Sequence, residues 1–165
     1  MTASAIETDA VVVGAGPIGL FQVFELGLQE VRAHVVDSLP SVGGQCVELY
    51  ADKPIYDIPG LPFCTGRELA ERLARQIEPF NAGFHLEQQV SVLNARDDGR
   101  FDVATSAGTR FLAKVVVVAG GVGAFQARRL KLDGLDRHRG TQLFEHEHVQ
   151  PVAQRIPRVF RRRAC

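Results

Sequence analysis

Val11-Val12-Val13-Gly14-Ala15-Gly16-Pro17-Ile18-Gly19 decides the fold, because what stands on either side turns a common glycine pattern into a nucleotide-binding unit. The apolar run Ala10 to Val13 before it reads as a buried parallel strand. After it, Leu20, Val23, Phe24 and the stretch Leu26 to Leu28 recur at helical spacing. A second strand, Ala33 to Val36, leads into Asp37, eighteen residues past Gly19. Each part has a physical task. Gly14 permits the tight strand-to-helix turn, Gly16 lets the backbone approach a pyrophosphate, and Gly19 lets helix and strand pack closely. The helix N-terminus offers unpaired N–H groups and a positive dipole end to phosphates. Asp37 can accept hydrogen bonds from a ribose hydroxyl. The alternative is an ordinary glycine-rich loop. The ordered series of strand, helix, second strand and acid favours the nucleotide. Residues 10 to 37 are therefore a βαβ unit, which calls for a parallel sheet with a right-handed crossover.

The bulk numbers fit that unit. A chain of 165 residues, 45% apolar and 23% charged, has the length and composition of one globular domain with a real core. Its formal net charge is zero, which leaves no electrostatic case for nucleic acid or a membrane surface as partner. The N-terminus carries Glu7 and Asp9 and lacks the basic segment of a signal peptide. Three cysteines, Cys46, Cys64 and Cys165, show no C-x-x-C spacing, and an odd, sparse set suggests a reducing cytoplasm. His146 and His148 form an H-x-H pair, but no further ligand stands nearby, so no metal site is expected.

Residues 38 to 66 form a loop-rich passage with Pro40, Pro54, Pro59, Pro62 and Gly43-Gly44, and such a stretch inside a compact domain usually serves function. Thr65 with Glu68 predicts a capping box, and the helix from about Gly66 to Glu78 carries Leu69, Leu73 and Ile77 on one face. Short strands are expected at Phe84 to Leu86 and Gln89 to Leu93. Phe101 to Thr105 and Thr109 to Leu112 flank a Ser106-Ala107-Gly108 turn and read as a hairpin. Lys114 to Val118 reads as another buried strand, ending in Ala119-Gly120-Gly121-Val122-Gly123. From Glu145 onward apolar periodicity is lost and arginines crowd the end, which reads as an aberrant or disordered basic tail.

Several further stretches are similar to one family. Asp37-Ser38-Leu39-Pro40-Ser41-Val42-Gly43-Gly44-Gln45-Cys46-Val47-Glu48-Leu49-Tyr50 resembles the flavin-cradling loop of flavoproteins with two dinucleotide domains. Asp52-Lys53-Pro54-Ile55-Tyr56-Asp57-Ile58-Pro59 and Cys64-Thr65-Gly66-Arg67-Glu68-Leu69 resemble the ferredoxin–NADP reductases of the thioredoxin-reductase-like type. Ala119 to Gln126 and Leu135 to Phe144 continue the likeness, which spans about residues 8 to 144. The resemblance implies an α/β fold: a Rossmann-like FAD-binding domain with a parallel sheet, a crossover helix and a small β-meander in three layers. It also implies an NADPH-dependent flavoprotein reductase, with hydride passing from NADPH to the flavin and single electrons then passing to ferredoxin or flavodoxin.

The resemblance carries residue roles as well. Asp37 would hold the adenosine ribose of FAD, beside the Gly14, Gly16, Pro17 and Gly19 loop. Gly44 would belong to the cofactor site, Gln45 and Tyr50 would face the flavin or its ribityl chain, Val90 would bind adenine through its backbone, and Phe125 would lie against the cofactor. Tyr50 as a core residue and Phe125 as a loop anchor are the structural alternatives. Cys46 reads as a small apolar filler. The missing C-x-x-C pair favours an electron path from flavin directly to an external carrier. No residue reads as an acid–base catalyst and none as a metal ligand.

The family chain is about twice as long, with an inserted NADPH domain and a returning segment that completes the FAD domain. Here residues 1–123 read as the N-terminal segment of the FAD domain, 124–144 as a linker toward an NADPH domain, and 145–165 as the aberrant tail. On this reading the chain is truncated and lacks the NADPH site, and strands normally covered are expected to be exposed. Full-length relatives are expected to be homodimers. Three alternatives stay open: a catalytically incompetent FAD-binding fragment, a thioredoxin-reductase-like flavoprotein with another acceptor, and an NAD-binding regulatory module.

Overall fold

A computed structural model of the chain describes residues 4–123. Phe125, Cys165, the His146 and His148 pair, the 124–144 linker and the 145–165 tail all lie outside the described residues.

The expected βαβ unit is present: β1 (Ile6–Val13), α1 (Pro17–Leu28) and β2 (Ala33–Val36). Pro17 stands at the first turn of α1, where its fixed φ suits a helix and its missing N–H costs nothing. α1 closes with Glu30 at φ 56, a left-handed turn that brings the chain back to the sheet. Next come α2 (Gln45–Glu48), β3 (Pro54–Ile55), β4 (Cys64–Thr65) and α3 (Gly66–Ile77). The capping box on α3 is complete: Glu68 N–H donates to Thr65 Oγ1 at 3.2 Å and Thr65 N–H to the Glu68 carboxylate at 2.8 Å. A short 3₁₀ turn, Glu78–Phe80, leads to β5 (Gly83–His85), β6 (Val90–Ala95), β7 (Phe101–Thr105) and β8 (Arg110–Val118).

The strands form one six-stranded sheet in the order β5-β2-β1-β8-β7-β6. β5, β2, β1 and β8 run parallel, while β6 and β7 are antiparallel and make a meander with β8. Alternate side chains of β1 serve different cores, as the two-residue period of a strand requires. Val12 and Ala10 join Val35 under α1 and α3, against Leu20, Val23 and Ile77. Val11 faces the other way and packs with Val36, Val103, Phe111 and Ala113. The Phe111 ring lies 4.9 Å from the ring of His85 on β5. β5 is three places from β8 in the sheet, so the start of β8 and the meander must curl across the second face. Helices, parallel sheet and meander are the three layers expected.

Two readings of the sequence are corrected. The passage 38–66 holds a one-turn helix and a two-stranded pair of its own, elements too short to leave a periodic signal. The strands read at Thr109 to Leu112 and Lys114 to Val118 are a single strand, β8, and its second half is not buried: Val115 is 49% and Val118 75% exposed. The reason lies in the pairing. β7 accompanies β8 only as far as Ala113, and beyond it β8 has β1 on one edge and no described strand on the other.

Candidate functional site

The parallel strands β1, β2 and β8 all end at one side of the sheet. From β1 the chain winds outward to β2 and β5, whereas β8 docks on the opposite edge of β1. Such a reversal splays the loops apart and opens a crevice at the carboxyl ends of the strands. A cleft of about 620 Å³ occupies that position. Its wall includes Gly14, Gly16, Pro17, Asp37, Gly44, Gln45, Tyr50 and Val90, eight of the ten residues singled out from the sequence. Gly19 lies beneath the lining and Phe125 lies outside the described residues.

The three glycines of the first loop divide their work. A Cβ on Gly14, at φ 109, would sit 2.4 Å from the carbonyl oxygen of Ala119, so this residue lets the first turn touch the turn after β8. A Cβ on Gly19 would sit 1.8 Å from the Gly14 carbonyl oxygen, so the helix packs on its own turn only if position 19 is glycine. Gly16 differs. A Cβ there would meet nothing nearer than Gly44 Cα at 4.0 Å, so packing does not demand glycine. What glycine leaves at Gly16 is open room over the start of α1. Gly16 gives that helix no side-chain cap and Pro17 has no N–H. The N–H groups of Ile18 and Gly19 have no acceptor among the described residues, since the first backbone bond of the helix is Leu20 N–H to Gly16 O. Donors without partners, a helix dipole and clear space form a cradle for an anion.

Asp37 ties the cradle together. Its carboxylate accepts from the N–H of Ala15 at 2.5 Å and from the N–H of Leu39 at 2.8 Å. An ionised carboxylate has about four acceptor positions, so two remain for a hydroxyl from the cleft. The second loop is fastened to the first by Gly43 N–H donating to Ala15 O at 2.8 Å. Gly44, at φ 56, brings its backbone against Gly16, where a Cβ would stand 2.9 Å from Gly16 Cα.

α2 presents Gln45, Cys46 and Glu48 to the same cleft, with Tyr50 just beyond. Burial pushes the Cys46 thiol up from its ordinary range, more than the nearby Tyr50 hydroxyl pulls it down. Burial likewise raises the Tyr50 phenol. Both groups therefore stand protonated at neutral pH, so Cys46 is a quiet wall residue and Tyr50 a neutral hydrogen-bonding ring. The far wall comes from Gln88, Gln89 and Val90. Here β6 carries a bulge: Val90 pairs with Thr105 and Val92 with Ala104, leaving Ser91 as the extra residue. A bulge interrupts the ladder and re-aims the backbone, which suits Val90 to contact a ligand through its main chain.

Sequence reasoning missed Gln88, which the Thr105 hydroxyl holds at 2.8 Å. It also missed Gly43 and a histidine pair, His34 and His85, behind the wall. None carries a local pattern, because each acts through a contact that the sheet order creates.

No family model matches the chain. Curated relatives do. A ferredoxin–NADP reductase of Methylibium petroleiphilum is 67% identical over 138 residues, covering 84% of this chain and 38% of its own length. Over most of its length the chain is similar to ferredoxin–NADP reductases. The Paracidovorax citrulli ferredoxin–NADP reductase is 61% identical over 153 residues, 93% of this chain and 43% of the relative. The chain thus spans about two-fifths of the ferredoxin–NADP reductases it matches. Among solved structures, thioredoxin reductase from Streptococcus pyogenes superposes with a TM-score of 0.63 at 22% identity, over 82% of this chain and 41% of that one. Cyclohexanone monooxygenase from Rhodococcus sp. Phi1 bound to NADP+ gives 0.64 at 24% identity, over 81% of this chain and 29% of the other. At that identity the two share the fold with this chain, and the fold alone.

Proposed function

We propose that the cleft binds FAD and that the chain is the cofactor-holding part of an NADPH-dependent flavoprotein reductase of the ferredoxin–NADP reductase type. The observation that carries the reading is the open ground at Gly16. It sits over unpartnered N–H groups of α1, in a cleft whose wall also holds the acceptor Asp37 and the side chains of Gln45 and Tyr50. That set of donor, acceptor and aromatic groups fits a pyrophosphate, an adenosine ribose and a flavin. Bound FAD supplies the exchange between two-electron and one-electron chemistry. The chain's own residues bind and orient. The α1 N-terminus and Gly16 take the pyrophosphate, Asp37 the ribose and the Val90 backbone the adenine. Gln45 and Tyr50 face the flavin end, and Phe125 completes that end. None of them acts as an acid–base catalyst.

Electron transfer between NADPH and ferredoxin or flavodoxin is the proposed activity of the whole reductase, with homodimers as its assembled form. Cytoplasmic residence is supported by the sparse cysteines without C-x-x-C spacing. No described helix is long and apolar enough to cross a membrane, and zero net charge argues against nucleic acid as a partner. The test is a visible spectrum of the purified 165-residue chain after incubation with FAD and desalting. Retained flavin absorbance supports the reading, and a colourless folded protein refutes it. Bleaching by NADPH would place hydride acceptance in this chain. Retention without bleaching would leave it the holding role.

A further inference from the structure

His34 on β2 and His85 on β5 meet at 2.9 Å between Nδ1 of the first and Nε2 of the second. At that distance one nitrogen donates a proton and the other accepts it, so the pair needs one N–H and one bare nitrogen at the contact. Among the described residues neither ring has another side-chain hydrogen-bond partner. Phe111 of β8 lies against both rings, at 5.5 Å from His34 and 4.9 Å from His85. Gly83 of β5 lies so close beneath His34 that a Cβ there would reach its ring at 2.4 Å. Among the described residues Arg32 is the charged group that opposes a proton on His34, and it is itself paired with the Asp9 carboxylate of β1 at 3.4 Å. Among the described residues neither ring hydrogen-bonds a carboxylate.

The pair sits where it governs the cleft. β5 is three residues long and, among the described residues, stands at the edge of the sheet and pairs with β2 alone. Its continuation supplies the wall: Asp37 N–H donates to His85 O at 3.1 Å, Glu87 N–H to Leu39 O at 3.0 Å and Gln88 N–H to Asp37 O at 2.9 Å. The short ladder to β2 pairs His34 with Gly83, Val35 with Phe84 and Val36 with His85, and the imidazole contact adds a side-chain tie across it.

We propose that His34 and His85 are positioning residues for the nucleotide site, a proton-sharing clasp that holds β5 and the Asp37 and Gln88 wall in place and opens when both rings carry two protons. The second proton puts N–H against N–H at the contact, with Arg32 adding repulsion. The clasp then releases β5, and Asp37 and Gln88 lose the backbone bonds that set their positions. Burial lowers both histidines from their ordinary value, with His85 and Arg32 adding to the effect at His34. The sign follows. The unfolded or opened chain takes up the proton first, so the closed form is fully favoured above the ordinary histidine value of about 6.5 and loses ground as pH falls below it.

This inference rests on the cleft being a nucleotide site, and one experiment separates the two. Amide hydrogen exchange of the full chain is followed from about pH 8 to about pH 5, corrected for intrinsic rates, alongside FAD titration at each pH. Protection at Val35, His85 and Asp37 is expected to collapse on the acid side, and the FAD dissociation constant to rise there by about tenfold to a hundredfold per pH unit, as one to two protons are taken up. His85→Gln keeps a hydrogen bond but takes no proton, so both acid-side losses are expected to vanish; His34→Asn serves equally if the first variant does not fold. A purely structural contact would lower protection in the variants at every pH and leave the wild type flat. Flat wild-type exchange across the acid range overturns the clasp. Absence of FAD binding at every pH overturns the nucleotide reading instead, and the exchange profile still decides the clasp.

Discussion

The Asp37 carboxylate accepts the Ala15 N–H at 2.5 Å, which makes the acid at the end of β2 a fastener of the glycine turn as well as a ribose acceptor. The second oxygen takes the Leu39 N–H at 2.8 Å. Asp37→Asn keeps one oxygen but sets an NH₂ group against one of the two N–H donors. Loss of a charge-assisted bond with a donor left over costs about 1–3 kcal/mol. Urea unfolding of the FAD-free chain is expected to report that loss. An unchanged midpoint would mean that the turn holds without the acid. FAD titration of the same variant reads the ribose role separately.

The glycines make opposite predictions. Gly19→Ala places a methyl 1.8 Å from a backbone carbonyl, and the helix cannot yield without leaving its strand. It is expected to give insoluble or grossly destabilised protein. Gly16→Ala meets no obstacle, so its thermal stability stays within about 1 kcal/mol of the parent. Its FAD retention is expected to fall steeply, because the methyl fills the ground over the helix N-terminus. Should Gly16→Ala retain flavin as the parent does, the pyrophosphate does not lie there.

These residues were legible because their work is local. Turn, helix start and acceptor fall within one βαβ unit, where spacing along the chain fixes distance in space. The Thr65–Glu68 capping box was legible for the same reason. The bond from Gly43 to Ala15, the hold of Thr105 on Gln88 and the meeting of His34 with His85 were not. They arise from strand order and from the curl of the meander. β8 was misread for a related cause: a run of valines looks buried on both faces, yet its partners change at Ala113.

Cys46 and Cys64 should separate chemically. The Cys46 thiol lines the cleft but is pushed up by burial, and the thiolate is the form that alkylates. Iodoacetamide is expected to label it more slowly than a free thiol near neutral pH, with the rate still climbing at alkaline pH where a peptide thiol has levelled. Added FAD is expected to slow it further. Cys64, with no exposed surface, reacts only on unfolding. Peptide mass spectrometry distinguishes the two. Fast labelling of Cys46 at neutral pH, unaffected by FAD, would contradict its placement in the cleft wall.

The change of partners along β8 sets two of its residues apart in energy. Phe111, 1% exposed, fills the core between the sheet and the meander and backs both histidines. Phe111→Ala removes a large buried ring that its neighbours cannot replace, and is expected to cost about 3–5 kcal/mol. Val115, four residues on, is 49% exposed and lies past the end of β7. Val115→Thr keeps the β-branched shape and is expected to change stability by no more than about 0.5 kcal/mol. Chemical unfolding of the two variants beside the parent measures both. If Val115→Thr costs several kcal/mol, the second half of β8 is covered in solution by something other than the described residues. The hydroxyl would then have been buried without a partner, and the sequence reading of a buried strand would be restored.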